Sequence, residues 1–533
     1  MPVRLHRSHL FLILVGLVSA AYCAIGLQLG LSRYDEALPV YGATRVLAGD
    51  IPQRDFWSMY PAGQFYTLAG VFALAGKSIM AERIWYVIVA STLCVLLYVL
   101  AAQMAGRRRA LPAWIFGLIW VGSYELRVNP ALAGMIGLTA SLVALIAYHR
   151  SGKRSLLFAA GWCVGTAALY RQDMGGAMVA VEMVAILLLS WLPASAQRPR
   201  DKRGLLVYAA GATLAAGPAL VAALAAVPRS ELWQQLVVFP IRVFPAVRAL
   251  PYPAPLPDLA LLAHGPVAFA KGILAWAPYY FPMFVLFAIL VMEIVDARSG
   301  RRDPERAWEV GALWLASVVL LVKGMVRTDL SNLMPVYVIL SALVAWLLKR
   351  AANHHTLLAR LFAVVLVAWA LTTVVVPVKR KLSFLGETIR PREYTLAMDG
   401  RAAGIRVRAA DLPFKQVVDY VRENVPARER IFVGMLRHDR LYTNDVMIYF
   451  LSERDAATRY HELHPGLTTT EPNQREIIAD LEQARARWLV LEEEHVNEPN
   501  QSSVSSGVHV LDDFIRQHFS PRARFGEYTV WAR

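Results

Sequence analysis

The chain reads as a polytopic α-helical membrane protein of about eleven spans, followed by a C-terminal extracytoplasmic α/β domain. Three observations predict this. Of 533 residues, 56% are hydrophobic and 18% charged, where soluble domains carry about 25% charged residues, and mean hydropathy is +0.41. The apolar residues gather into segments near the ~20 residues that cross a bilayer. The net charge of +15 is concentrated in short loops between those segments: Arg107–Arg109, Arg150 with Lys153 and Arg154, Arg198 to Arg203, and Arg298 to Arg306. That is the positive-inside pattern. It argues against nucleic-acid binding, because acids and bases nearly balance from Lys379 onward.

The spans are expected near 10–31, 83–105, 111–126, 130–149, 155–170, 174–192, 205–227, 273–295, 307–323, 333–349 and 358–378. Leu10 to Leu31 is longer than the ~7–15-residue core of a signal peptide and has no clear cleavage site, so it reads as a signal-anchor. Arg4 and Arg7 place the N-terminus inside. The basic loops then also fall inside, and an odd number of spans leaves the tail outside. Gln64 to Ala75 is apolar but short, and segments of ~10–14 residues more often lie at an interface. It is read as a helix on the outer surface. Pro228 to Pro266 is an external loop whose prolines block a regular helix, and its Arg242 and Arg248, next to aromatics, suit lipid headgroups or phosphates.

Two domains are expected, 1–378 in the membrane, with an outer acidic loop at 32–82, and 379–533 outside it. In the second, Leu412 to Asn424 and Glu471 to Ala486 read as helices. Ile431 to Met435 and Trp488 to Glu492 read as buried strands, and 499–506 as a surface loop. Cys23, Cys94 and Cys163 all sit in apolar segments, which suits core packing and not a disulfide framework.

The chemistry is expected at the outer ends of the spans. Asp35 and Glu36 follow the first span directly, with Asp50, Arg54 and Asp55 behind them. Tyr124 to Asn129 contains Glu125 and Arg127, Tyr170 to Asp173 contains Arg171, and Lys323 to Asp329 contains Arg327. Arginine presents a planar fork to phosphate oxygens, and a carboxylate can take a proton from a hydroxyl. Convergence of these groups suits chemistry on a phosphorylated lipid. Taken singly, such charges are most often solvated helix ends, which is the reading given to Asp50, Arg127 and Asp329. His461 and His464 lack the His-Glu-x-x-His spacing and read as surface or capping residues. No P-loop, Gly-x-Gly-x-x-Gly or Gly-x-Ser-x-Gly motif is present, so no nucleotide site is expected.

The ordered series Asp35-Glu36, Tyr41 to Gly49, Tyr60-Pro61, Gly76 and Arg83 resembles the first outer loop of the GT-C superfamily. Its members include polyprenyl-phosphate-sugar-dependent glycosyltransferases such as protein O-mannosyltransferases, the aminoarabinose transferase of lipid A and related lipopolysaccharide enzymes. Asn129-Pro130-Ala131-Leu132, Ala168 to Gly176 and Arg327 to Tyr337 resemble later motifs in order, with asparagine where the family often has an acid and Glu125 as its possible substitute. The resemblance implies a multi-pass enzyme of the bacterial inner membrane, taking a sugar from a polyprenyl-phosphate donor to a glycolipid or protein hydroxyl. Asp35 would be the general base of an inverting displacement. Glu36 would orient it or bind a divalent ion, magnesium or manganese. Arg171, Arg327 and Lys323 would hold the donor phosphate, and Tyr60, Glu125, Asn129, Asp173, Arg242 and Arg248 would contact substrate. The alternative from a different class is a lipid or solute transporter, whose sites lie near the bilayer midplane. Here charges gather at span ends, with Glu182 an exception.

Overall fold

The computed structural model describes residues 7–124, 127, 129–189, 203–301, 303–353, 356–493 and 497–533. Glu125 lies outside these residues.

A helix stands at each expected span: Arg7–Ala24, Ile79–Ala105, Arg107–Tyr124, Pro130–Ser151, Arg154–Ala168, Gln172–Leu189, Gly204–Ala226, Pro266–Arg298, Pro304–Met325, Leu330–Asn353 and Leu357–Ile389. Among the described residues, eight are long and apolar enough to cross a membrane. Polar caps start several of them. Ser78, Asn129, Asp303 and Thr356 each accept a hydrogen bond from a backbone N–H of the first turn, satisfying a donor the helix itself cannot. Close approach between helices uses small residues, as expected where lipid offers no hydrophobic drive. A Cβ on Gly161 would come within 2.0 Å of the Tyr208 carbonyl oxygen, and one on Gly211 within 2.2 Å of that of Phe158. These glycines let helices 154–168 and 204–226 pack backbone to backbone.

Two expectations are corrected. The last long helix runs to Ile389, beyond the expected 378. The 228–266 segment is not held out of helix by its prolines: Arg229–Trp233, Gln234–Val243 and Phe244–Arg248 form one continuous helical stretch whose middle is π-helical around Pro240. Proline lacks an N–H and its ring crowds the carbonyl one turn back, so the regular α pattern gives way around Pro240 while the helical path continues.

After residue 390 the chain builds a four-stranded sheet in the order Ile431–Met435, Trp488–Glu492, Tyr528–Ala532, Ser520–Phe525. The first pair is parallel, with Ile431 opposite Trp488, and the others are antiparallel. Helices Leu412–Asn424 and Glu471–Gln483 accompany it. This unit shares its core with the first loop. Helix Ala37–Leu47 and the apolar face of helix Gly63–Ala75 (Leu68, Ala69, Phe72) pack with Val417, Val433, Tyr449 and Val530. Tyr41 stacks on Tyr449 at 5.0 Å, and its hydroxyl accepts from the Ala456 N–H at 2.6 Å. Arg33 donates to Asp411, Glu527 and the Tyr528 hydroxyl at 2.6, 3.2 and 2.5 Å. The loop is therefore as much part of the C-terminal unit as of the bundle.

Candidate active site

Between bundle and C-terminal unit lies a cavity of about 310 Å³. The helix ends supply Asn129, Arg171, Lys323, Arg327 and Asp329, the first loop supplies Tyr34, Asp35 and Tyr60, and the chain between 234 and 248 supplies Phe244 and Arg248. Arg127 joins them, and Tyr442, Thr443, Glu462 and His464 come from the C-terminal unit. Segments hundreds of residues apart thus meet at one end of the bundle. Gly63 brings the loop in: its N–H donates to the Leu169 carbonyl at 3.1 Å, and any Cβ there would sit 2.4 Å from that oxygen.

Asp35 is the accessible carboxylate of the acidic pair. Its side chain is 58% exposed and accepts from Arg127 Nη2 at 2.9 Å. Glu36, expected to share the catalytic work, faces away from the cavity. It is buried and receives Arg83 through Nε at 2.7 Å and Nη2 at 3.0 Å, and the Ser32 N–H at 3.0 Å. Arg83 also donates to the carbonyls of Leu27 and Gly30 at 2.5 and 2.7 Å. A buried carboxylate needs such pairing, so Glu36 fastens the loop to the second long helix.

The basic residues arrive with partners. Arg171 donates to Asp173 at 2.9 and 2.6 Å and lies over the Tyr60 ring, 5.0 Å from its centroid. Asp173 does not line the cavity; it holds Arg171 in place. Arg327 grips Glu498 with both guanidinium nitrogens, at 2.9 and 2.5 Å, and donates to the Arg248 carbonyl at 2.9 Å. Arg248 stands 3.6 Å from the same Glu498 and 4.2 Å above the Tyr442 ring. Burial works against the Glu498 charge, but Arg327 still holds its carboxyl below the ordinary glutamate range. Asn129 lines the cavity while capping its helix through the Leu132 N–H at 2.7 Å. Arg242 is exposed and does not line the cavity. On this helical stretch it lies six residues before Arg248, off that residue's face.

Arg127 and Asp329, read from sequence as ordinary solvated charges, both line the cavity, although Asp329 spends one oxygen on the Ser331 N–H and hydroxyl at 2.7 and 2.6 Å. His461 and His464 are not surface residues. His461 is 1% exposed, its ring against Tyr41 and Phe56. Burial, with Arg45 adjacent, holds its pKa well below that of free histidine. His464 is 4% exposed and part of the cavity wall. The His-Glu-Leu-His stretch drew notice in the sequence only as a metal motif with the wrong spacing, because what places Glu462 and His464 in the wall is the tail's packing on the loop.

The residues around Asp35 do not fit a divalent metal. Arg127 takes one of the two Asp35 oxygens, Glu36 and Asp173 are spent on arginines, and among the described residues the one converging trio of possible ligands is Asp439, His509 and Asp512 in the C-terminal unit. There, Arg437 already takes both Asp439 oxygens, at 2.9 and 2.6 Å.

The chain folds as a bundle of long helices with a cavity roofed by a small α/β unit. Solved structures share this fold. The chain is similar over 98% of its length to ArnT from Cupriavidus metallidurans bound to undecaprenyl phosphate, with 13% identity, 97% of that chain covered and a TM-score of 0.56. The apo state of that protein aligns at 12% identity over the same shares of both chains, with a TM-score of 0.52. The Archaeoglobus fulgidus oligosaccharyltransferase tethered to an acceptor peptide aligns over 90% of this chain and 69% of its own, at 12% identity and a TM-score of 0.50. No protein-family model matches the chain, and no curated protein does.

Proposed function

We propose that the protein is a membrane glycosyltransferase that moves a sugar from a polyprenyl-phosphate donor to an acceptor hydroxyl. The observation that carries this is the cavity itself: an accessible carboxylate free of any helix-capping task, Asp35, in the same 310 Å³ space as Arg171, Arg248, Lys323 and Arg327. Two of the structural neighbours are named for undecaprenyl phosphate and for oligosaccharyl transfer, which supports a lipid-phosphate donor.

In this reading Asp35 accepts the acceptor's hydroxyl proton while Arg127 orients the carboxylate. The acceptor oxygen bonds to the anomeric carbon as the carbon–oxygen bond to phosphate breaks, so the anomeric configuration inverts. The electron pair leaves on polyprenyl phosphate. Its charge falls to Arg248 and Arg327, where a phosphate exchanges with the Glu498 carboxylate, and to Lys323 and Arg171. Stabilising such charge is often the largest catalytic term. No step needs a metal. The positive-inside pattern favours a cavity on the outer face of a bacterial inner membrane, with residues 379–533 forming an extracytoplasmic domain over it. The transporter reading is disfavoured, since Glu182 in mid-helix is fully buried, lines none of the cavity, and takes the Ser141 and Tyr208 hydroxyls on its Oε2 at 2.6 and 2.8 Å.

The test is incubation of purified protein with a panel of radiolabelled polyprenyl-phosphate sugars and membrane extract as acceptor. Wild type should release polyprenyl phosphate, and Asp35→Asn should lose about 10²–10⁴ of that rate, the usual worth of a general base, while unfolding at the same temperature. Full activity in the variant would sink the role of Asp35. No consumption of any donor by folded wild type would sink the enzyme reading.

A further inference from the structure

One wall of the cavity has a chemistry that neither proton abstraction nor phosphate binding uses. Tyr34, next to the proposed base, donates its hydroxyl to Glu462 Oε1 at 2.9 Å and stands 3.0 Å from His464 Nε2. His464 Nε2 also meets Glu462 Oε1 directly. All three residues line the cavity. The imidazole is clasped by aromatics, with ring centroids 5.1 Å from Trp57, 5.5 Å from Phe239 and 6.0 Å from Tyr34, and its Nδ1 is buried with no hydrogen-bond partner. Glu462 is 3% exposed, and its one ion-pair partner among the described residues is His464. Each other carboxylate lining this space has an assigned task, Asp35 with Arg127 and Asp329 at its helix start.

A buried acid and imidazole with a half-buried phenol, on a wall with Tyr60 and Tyr442 nearby, suit a ring with polar edges and an apolar face. Buried polar atoms without partners are costly, about 1–3 kcal/mol each, and such groups persist where a ligand completes them.

We propose that Tyr34, Glu462 and His464 form the hydroxyl-recognition face for a sugar ring in this cavity. The proposal rests on the glycosyl-transfer reading and names the part that selects the sugar. The ring belongs either to the donor or to a glycan acceptor; the chemistry is the same. The three residues choose among substrates and do not take part in bond breaking.

Binding tests this apart from turnover. Affinity of the full chain in detergent is measured for polyprenyl phosphate and for the same lipid bearing a hexose, with wild type, Glu462→Gln and Tyr34→Phe. The amide oxygen introduced by Glu462→Gln can still accept from Tyr34, so a mere tie between loop and tail would survive that change. If the face reads the donor sugar, the hexose lipid binds wild type about 10–100-fold more tightly than bare lipid phosphate, the range of one hydrogen bond to a charged group, and the variants lose most of that preference. If it reads the acceptor, donor preference is unchanged and the acceptor KM rises by a similar factor at unchanged kcat. Variants that alter only the unfolding temperature, with preference and KM as in wild type, would overturn the proposal. Absence of turnover in wild type would count against the transfer reading, while the binding arm would still decide recognition.

Discussion

Helices Pro130–Ser151 and Pro304–Met325 carry polar and charged residues at both ends, and the two ends behave differently. At one end Asn129 and Lys323 face the cavity, beside an Asp35 that stays 58% exposed. At the other, Arg150 donates to Glu309 at 2.5 and 2.8 Å, Arg306 reaches the same carboxylate at 2.5 Å, and His149 lies 3.4 Å from it. Nearby, Arg350 closes on Asp296. Much the same residue types are used about 33 Å apart, at 1.5 Å per residue. What separates a tie from a candidate site is whether the acceptors are consumed within the chain and whether empty space adjoins the one left over.

The contrast can be broken by substitution. The largest stability effect belongs to the closed partner of the acidic pair. Glu36→Gln leaves Arg83 buried without its counter-charge, and breaking such a pair costs about 3–5 kcal/mol. Thermal unfolding in detergent should show that loss, whereas Asp35→Asn should show none. A stable Glu36→Gln with abolished turnover would reverse the two assignments. At the far end, Glu309→Gln should cost less, about 1–3 kcal/mol, because the Arg150 side chain is 40% exposed and water can replace part of the lost contact. Turnover per folded molecule should be unchanged. A drop in turnover at full stability would mean that the two ends are coupled.

A third test uses pH. Asp445 accepts from the Tyr528 hydroxyl at 2.7 Å. Burial pushes its carboxyl up to about 7, although Arg33 pulls the other way. An unfolded aspartate titrates near 3.9, so between about pH 4 and 7 the folded chain binds the more protons, and stability falls as pH rises through that window. Asp445→Asn lacks this titration. Between pH 5 and 8 its unfolding temperature should decline less than that of wild type, and equal declines would remove Asp445 as the source. The smallest effect is expected at Arg54, whose pair with Asp55 at 2.8 Å is exposed. Arg54→Ala should leave both the unfolding temperature and donor turnover close to those of wild type.

The helices were legible in the sequence because apolar runs, caps and basic loops act locally. Leu412–Asn424 and the strand pair at 431 and 488 follow from pattern alone. Asp35, Arg171 and Arg327 were marked by their place at span ends, and they line one cavity. Other features depend on partners distant in the chain. Asp35 and Glu36 are neighbours, and only the position of Arg83, 47 residues on, turns one of them inward. Glu498 reaches Arg327 across 171 residues, and Glu462 reaches Tyr34 across 428. No spacing rule covers such separations. The helix through Pro240 was not legible for a local reason: proline reads as a helix breaker, yet this chain also carries Pro112, Pro278 and Pro335 inside helices.

The shared core of loop and tail also has a consequence for biosynthesis. Tyr41 and Ala456 are 415 residues apart in the chain, and Arg33 and Tyr528 are 495 apart. At ~5–20 residues per second of synthesis, the loop exists for about 20–100 s before the ribosome has made what covers it. During that interval helices Ala37–Leu47 and Gly63–Ala75 present bare apolar faces, and a chaperone or the bilayer surface has to shelter them. A chain truncated before residue 398 never leaves that state, so premature termination should yield a protease-sensitive bundle and not a smaller working version.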